Sequence, residues 1–171
     1  MSTKRTLILN KEQIQQKSSR IAYQILEDNF EDTGIVLVGI ADRGYIFAQR
    51  LQKILKDIAP EKEVELLKVT IQKNKRSLDA VTDQPVETAK NKTVIIVDDV
   101  LNSGRTLAYA LGAFINVPLK KMRTAVLVDR SHHNFPIFSD FYGVKLSTIL
   151  KEKVQVRLQE VDHEEDSAWL A

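Results

Sequence analysis

Residues 93–106, TVIIVDDVLNSGRT, constrain what this chain can fold into more than any other stretch. The apolar, β-branched run at 93–97 reads as a buried strand ending in two adjacent carboxylates, Asp98 and Asp99. A turn of small residues follows, Asn102, Ser103 and Gly104. Arg105 and Thr106 then open a helix with apolar residues at Leu107, Leu111, Phe114 and Ile115. Loop amides aligned with the start of a helix attract phosphate, because the N–H groups and the helix dipole both present positive charge. Open α/β sheets bind ligands at the carboxyl ends of their strands, where the two carboxylates fall. Paired carboxylates suit two vicinal hydroxyls, with Mg²⁺ near them, so phosphate site and diol site together describe a ribose 5-phosphate. An acidic pair at a strand end is by itself often no more than solvated charge. The SGRT loop at its fixed offset, with a helix behind it, makes the pattern specific.

The rest of the chain reads as one α/β domain. Its 171 residues fit a single domain of ordinary size, and 43% hydrophobic residues can fill a core. Residues 11–28 read as a helix with Ile14, Ile21, Ile25 and Leu26 on one face, and 35–40 as a buried strand. Phe47, Leu51, Ile54, Leu55 and Ile58 fall at helical spacing before Pro60, and a strand over 64–71 follows. Residues 72–92 are polar, aperiodic and hold Pro85, so they read as a long loop of the kind that serves as a lid. A strand is expected at 124–129, irregular chain at 131–140, and a half-exposed strand around Val154, Val156 and Leu158. Strands alternating with helices predict a doubly wound, mainly parallel sheet with helices on both faces. A formal charge of +2 does not by itself imply nucleic acid, although 160–166 is acidic. The absence of cysteine excludes disulfides and thiol catalysis. No stretch has the length of a signal or membrane span, which predicts a cytoplasmic location and no membrane partner.

Three further groups carry chemistry. Ala41, Asp42, Arg43 and Gly44 lie between the first buried strand and its helix, on the same sheet edge as the acidic pair. Gly44 allows backbone to approach an anion, and Arg43 can donate to a pyrophosphate oxygen. Lys73, Lys75 and Arg76 are either a solvated basic run or a flap that closes over pyrophosphate and excludes water. His132 and His133 are adjacent, so their side chains diverge, and no third ligand sits at metal spacing; no directly protein-bound metal is expected. Trp169 reads as cover for an apolar patch or a subunit contact.

The motif at 93–106 closely resembles the phosphoribosyl pyrophosphate (PRPP) site of the type I phosphoribosyltransferases. VLVDRSHHNFPIFSDFYGVKLSTILKEKVQVRLQEVD, the Arg43-Gly44 turn and RIAYQILE in the first helix are similar to one branch, the bacterial pyrimidine operon regulator and uracil phosphoribosyltransferase. The likeness covers nearly the whole chain and is poorest over 72–92. It implies the type I phosphoribosyltransferase fold with a small C-terminal hood, and uracil and PRPP as substrates with Mg²⁺. It also implies binding of UMP-type nucleotides and leader RNA, and a homodimer or higher homo-oligomer. Residue by residue, it gives the ribose hydroxyls to Asp98 and Asp99, and the 5-phosphate to Asn102, Ser103, Gly104, Arg105 and Thr106. Arg43 and its loop take pyrophosphate, so Asp98, Asp99 and Arg43 carry the catalysis. Asp129, Arg130 and Tyr142 mark the nucleobase region.

Two positions bear on the base. Purine-type relatives carry an Asp at the motif's fifth position as a proton carrier for N7; here it is Asn102, which cannot exchange a proton. They also carry a Lys for the exocyclic oxygen where this chain has Asp129. Both features point away from a 6-oxopurine. No general base is apparent, which a pyrimidine N1 tolerates if the site favours the anionic base. The chain departs from the regulator's pattern at Ser19 and Tyr23 of the first helix, in residues 72–76, and at Ser131 and His133. Two alternatives therefore stay open: a uridine-nucleotide sensor with little catalysis, and a paralogue that uses another base.

Overall fold

The computed structural model describes residues 5–73, 78–148 and 152–171. Of the three expected flap cations, Lys75 and Arg76 lie outside the described residues, and only the backbone of Lys73 is described.

Helix α1 (Lys11–Asp28) starts where the sequence periodicity puts it. Asn10 accepts a hydrogen bond from the Gln13 N–H, and the Gln13 side chain accepts one from the Asn10 N–H, both at 2.9 Å. This reciprocal cap satisfies two donors that an uncapped helix would leave open. Strand β2 (Gly34–Ile40) and helix α2 (Arg43–Ile58) follow, then β3 (Glu63–Lys73), β4 (Leu78–Thr82), β5 (Thr93–Leu101), α3 (Arg105–Gly112), β6 (Lys121–Asp129) and β7 (Phe141–Lys145). They build a six-stranded sheet in the order β4-β3-β2-β5-β6-β7, parallel except for β4.

The near-continuous apolar runs of the central strands are explained by burial on both faces. In β2, Ile35 and Leu37 enter one core while Val36, Val38 and Ile40 enter the other; in β5, Ile95 and Val97 oppose Val94 and Ile96. Helices α1 and α2 pack together against the first face, and Leu107, Ala110 and Phe114 around α3 cover the second. The expectation of helices on both faces holds.

Three local readings are corrected. Residues 72–92 are not one loop: β4 pairs antiparallel with β3 from Val69↔Thr82 to Lys73↔Leu78, and Val86–Ala89 forms a 3-10 turn that buries Ala89. An edge strand of five residues that packs little more than Ala80 inward, with Val81 exposed, has no usable period-2 signal. Strand β5 does not end at the acidic pair but runs on to Leu101, because its ladder with β6 continues to Leu101↔Asp129. Ile115 lies beyond the end of α3 and is exposed.

A second, antiparallel sheet forms the hood, in the order β1-β9-β8, from β1 (Thr6–Leu9), β8 (Val154–Arg157) and β9 (Ser167–Leu170). The hood is thus not purely C-terminal; the N-terminal strand is one edge of it. Short helix α4 (Gln159–Asp162) docks it on α2. The acidic stretch at 160–166 thereby finds its partners. Arg50 reaches Glu160 at 2.5 Å and Asp166 at 2.6 Å, and Arg43 makes a forked pair with Asp162 at 2.5 and 3.1 Å. Hydrogen bonds from Arg50 and Arg43 hold Glu160 and Asp162 below their ordinary values; for Asp166, burial pushes up but Arg50 outweighs it. Carboxylates lowered in the folded state stabilise it above their unfolded values and lose that contribution as pH falls through the folded ones. Arg50→Ala should therefore cost about 2 kcal/mol at neutral pH, with the difference from the parent protein shrinking below about pH 4. Urea melts at pH 7 and pH 3.5 check this, and equal stabilities at pH 7 would refute it. Among the described residues, no helix is long and apolar enough to cross a membrane.

Candidate functional site

The chain from β2 to β3 and the chain from β5 to β6 move in opposite directions across the sheet, so their helices leave on opposite faces. A crevice opens at that divergence, beyond the carboxyl ends of β2 and β5. Asp98, Asp99 and the loop before α3 line it, and the 41–44 turn packs against the acidic pair at Gly44.

Close packing joins the two sides. Gly44 is buried, and a Cβ on it would lie 2.8 Å from Asp98 Oδ1, 2.8 Å from Val97 O and 2.9 Å from Asp98 Cα. Ala41 N–H donates to Val69 O at 2.9 Å, and the Ala41–Asp42 peptide is cis. Asp98 Oδ1 accepts the Asp99 N–H at 2.9 Å. Burial, and then the charge of Asp99, push Asp98 well above the usual carboxylate range. The Arg43 guanidinium, 37% exposed, is raised first by its hydrogen bonds to Asp162, with the charges of Asp99 and Asp42 adding to this. The residue expected to meet pyrophosphate thus sits between Asp162 of the hood and the acidic pair.

The loop assigned to the 5-phosphate turns at Gly104 into α3. Gly104 takes φ +85° at the cap of α3, a left-handed conformation that other residues resist. It also lies so close to Ile137 that a Cβ would come within 3.1 Å of that side chain. A cavity of about 200 Å³ spans residues 98–107 and reaches Val154 of the hood. Asn102, Arg105 and Thr106 are exposed and Ser103 partly so. This single cavity collects every residue assigned to ribose and 5-phosphate.

The nucleobase assignments separate. Asp129 ends β6 and is 1% exposed. Its carboxylate accepts from Ser139 Oγ at 2.7 Å, Ser131 N at 2.8 Å and His133 Nε2 at 2.9 Å. Burial pushes its pKa up, but these donors prevail and hold it low. Asp129 therefore ties down the 131–139 turn. Arg130 donates to Thr148 Oγ1 at 3.1 Å and to Asn102 Oδ1 at 3.2 Å, beside the 102–106 loop. Tyr142 is different: it pairs with Val126, three residues short of the strand end, and Lys145 Nζ lies 4.4 Å over its ring. At about 3.3 Å per residue, Tyr142 is roughly 10 Å below the level of Asp129.

Sequence reasoning passed over two pairings. Asp162 is 119 positions from Arg43, and no local pattern links them. His133 was considered as a metal ligand and as a departure from the regulator's pattern, within the stretch assigned to the nucleobase; its partner Asp129 stands four residues away at the end of a strand, a spacing that points to contact only when a turn follows. Among the described residues, no three His, Cys, Asp or Glu side chains cluster as a metal site.

Comparison with known proteins accords with this geometry. Residues 5–166 match the phosphoribosyl transferase domain family. The bifunctional protein PyrR of Pelotomaculum thermopropionicum is 37% identical over 96% of this chain and 95% of its own length. That of Clostridium acetobutylicum is 39% identical over 94% and 93%. Among solved structures, a hypoxanthine-guanine phosphoribosyltransferase from Bacillus anthracis superposes with a TM-score of 0.76, covering 97% of both chains, at 20% identity. A purine phosphoribosyltransferase from Pyrococcus horikoshii gives 0.64 over 81% of this chain and 85% of that one, at 26% identity. The fold is thus shared with purine enzymes, while the sequence runs with the PyrR proteins: the chain belongs to the type I phosphoribosyltransferase family.

Proposed function

We propose that the protein transfers the 5-phosphoribosyl group from PRPP to N1 of uracil, giving UMP and pyrophosphate, with Mg²⁺. The observation that carries the reading is the single cavity that gathers Asp98, Asp99 and the 102–106 loop, with Gly44 packed against Asp98. Loop amides and the Ser103 and Thr106 hydroxyls would hold the 5-phosphate, and the two carboxylates would orient the ribose hydroxyls. Their negative charge also favours the cationic character that develops at the anomeric carbon as pyrophosphate departs. Arg43 would meet the leaving group on exchanging its pairing with Asp162 for pyrophosphate oxygens.

Two carboxylates with no third ligand among the described residues do not make a protein cage for a cation; they fit Mg²⁺ carried largely by substrate oxygens. Bound there, the ion would neutralise pyrophosphate charge. Uracil is favoured over 6-oxopurines by the kinship with PyrR, by Asn102, and by a carboxylate rather than a lysine at the end of β6.

The test is pyrophosphate release from PRPP and Mg²⁺ with uracil, hypoxanthine, guanine, xanthine or adenine supplied separately. Uracil alone should support turnover, and turnover only with a purine would overturn the choice of base. Asp99→Asn should cut turnover at least about tenfold with the fold intact, and an unchanged rate would count against the assignment. One observation favours a second reading, a uridine-nucleotide sensor: Arg43 is already paired with Asp162. UMP binding without turnover on any base would establish that reading, and specific binding of leader RNA would extend it.

A further inference from the structure

Beside the phosphate cavity lies another of about 370 Å³, between Asn102 and Ser103 on one side and residues 130–134 on the other. The two share Asn102 and Ser103 as lining residues, so they adjoin across the loop before α3. The 130–135 turn is pinned to the phosphate loop, because Asn134 N and Phe135 N both donate to Ser103 O, at 2.9 and 3.0 Å. His133 lines this cavity, and its Nε2 meets the buried Asp129 carboxylate at 2.9 Å.

We propose that His133 is the proton acceptor for the nucleobase, taking the ring N–H proton on Nδ1 as that nitrogen bonds to the anomeric carbon. The inference rests on the phosphoribosyl-transfer reading above. In the step, the ring N–C1′ bond forms and the C1′–O bond to pyrophosphate breaks, its electron pair leaving on pyrophosphate. The proton from the ring nitrogen moves to Nδ1.

Asp129 makes this chemistry available. Its donors keep it ionised, so it accepts from His133 and fixes the Nε2–H tautomer, leaving a lone pair on Nδ1. The same carboxylate stabilises the imidazolium that forms on proton transfer. The other titratable side chains lining the cavity are Arg130 and His132. Arg130 is a guanidinium with donors only, and His132 is exposed with its Nε2 on the Thr148 carbonyl, which offers an imidazolium no counter-charge. Asn102 cannot carry a proton. Asp129 is the positioning residue and His133 the catalytic one.

The experiment compares the parent protein with His133→Ala and His133→Gln, using PRPP, Mg²⁺ and the base that the parent uses. The glutamine amide can keep the hydrogen bond to Asp129 but cannot take a proton. Both variants should lose on the order of a hundredfold in kcat, with KM for PRPP within about twofold of the parent. Added imidazole should restore rate to His133→Ala. Full activity in either variant overturns the inference. So does a loss that imidazole does not relieve, which would mark a structural role. A parent protein that is silent with every base would sink the transferase reading and this inference with it. An active parent with unaffected variants sinks the inference alone.

Discussion

Gly44→Ala should lower turnover on the order of a hundredfold, although alanine is the better helix former. Gly44 is the second residue of α2, where its backbone lies against the strand that carries Asp98. An added methyl would stand 2.8 Å from Val97 O and 2.9 Å from Asp98 Cα, both backbone atoms that no rotamer change can move. Either the helix start shifts away or β5 gives at the acidic pair. Displacements of about 1 Å in a positioning site cost on the order of 10² in rate, because the reacting atoms must be held in line. Overpacking should also lower stability by about 1–3 kcal/mol. Gly112 supplies the control: a Cβ there meets nothing within 4 Å, so Gly112→Ala should leave turnover and stability nearly unchanged. Steady-state pyrophosphate release and urea melts on both variants make the comparison. Wild-type turnover in Gly44→Ala would show that the close approach of α2 to Asp98 does not hold the site in register.

That close approach marks where sequence reading succeeds. Residues 93–106 announced a strand, carboxylates, a turn and a helix, because each step depends on neighbours in the chain: β-branched burial, small residues at the turn, apolar spacing behind it. The loop at 41–44 was legible for the same reason, its glycine and arginine following an apolar run directly. The fold class followed from alternating strands and helices, and the hidden second core from the unbroken apolar run of β2. What was not legible depends on partners far along the chain. Strand β4 is defined by β3 rather than by its own alternation, and β1 is a strand only through its pairing with β9 across nearly the full length of the chain. The acidic stretch at 160–166 was visible as charge, but its meaning lies in Arg43 and Arg50, more than a hundred positions earlier. His133 looked unremarkable because what gives it a role, a buried carboxylate and a shared cavity, is made by the fold.

Asp98→Asn should raise stability at neutral pH while removing most of the turnover, an opposition that ordinary destabilising variants do not show. Asp98 Oδ1 accepts the Asp99 N–H, and an asparagine carbonyl oxygen can accept it equally well. Burial first, and then the neighbouring Asp99 charge, push the Asp98 carboxyl well above its usual range. A carboxyl raised in the folded state contributes its stability below the unfolded value and loses it as pH rises through the folded one. At pH 7 the parent protein therefore carries a destabilising group that asparagine lacks. The variant should melt higher at pH 7, with the advantage shrinking toward pH 4, where the carboxyl is protonated in the folded parent. Turnover should fall on the order of a hundredfold, since the amide replaces one of the two oxygens that would hold the ribose hydroxyls. Thermal melts at both pH values, paired with rate measurements, test the two halves separately. If the variant melts lower at pH 7, Asp98 is held by contacts stronger than its repulsion from Asp99. If it melts higher but keeps its rate, the ribose diol is held by Asp99 without help from Asp98. Both results together would mean that the paired carboxyl groups are no strained catalytic unit, whereas the expected opposition would show a site that gives up stability to keep two carboxyl groups where the sugar must bind.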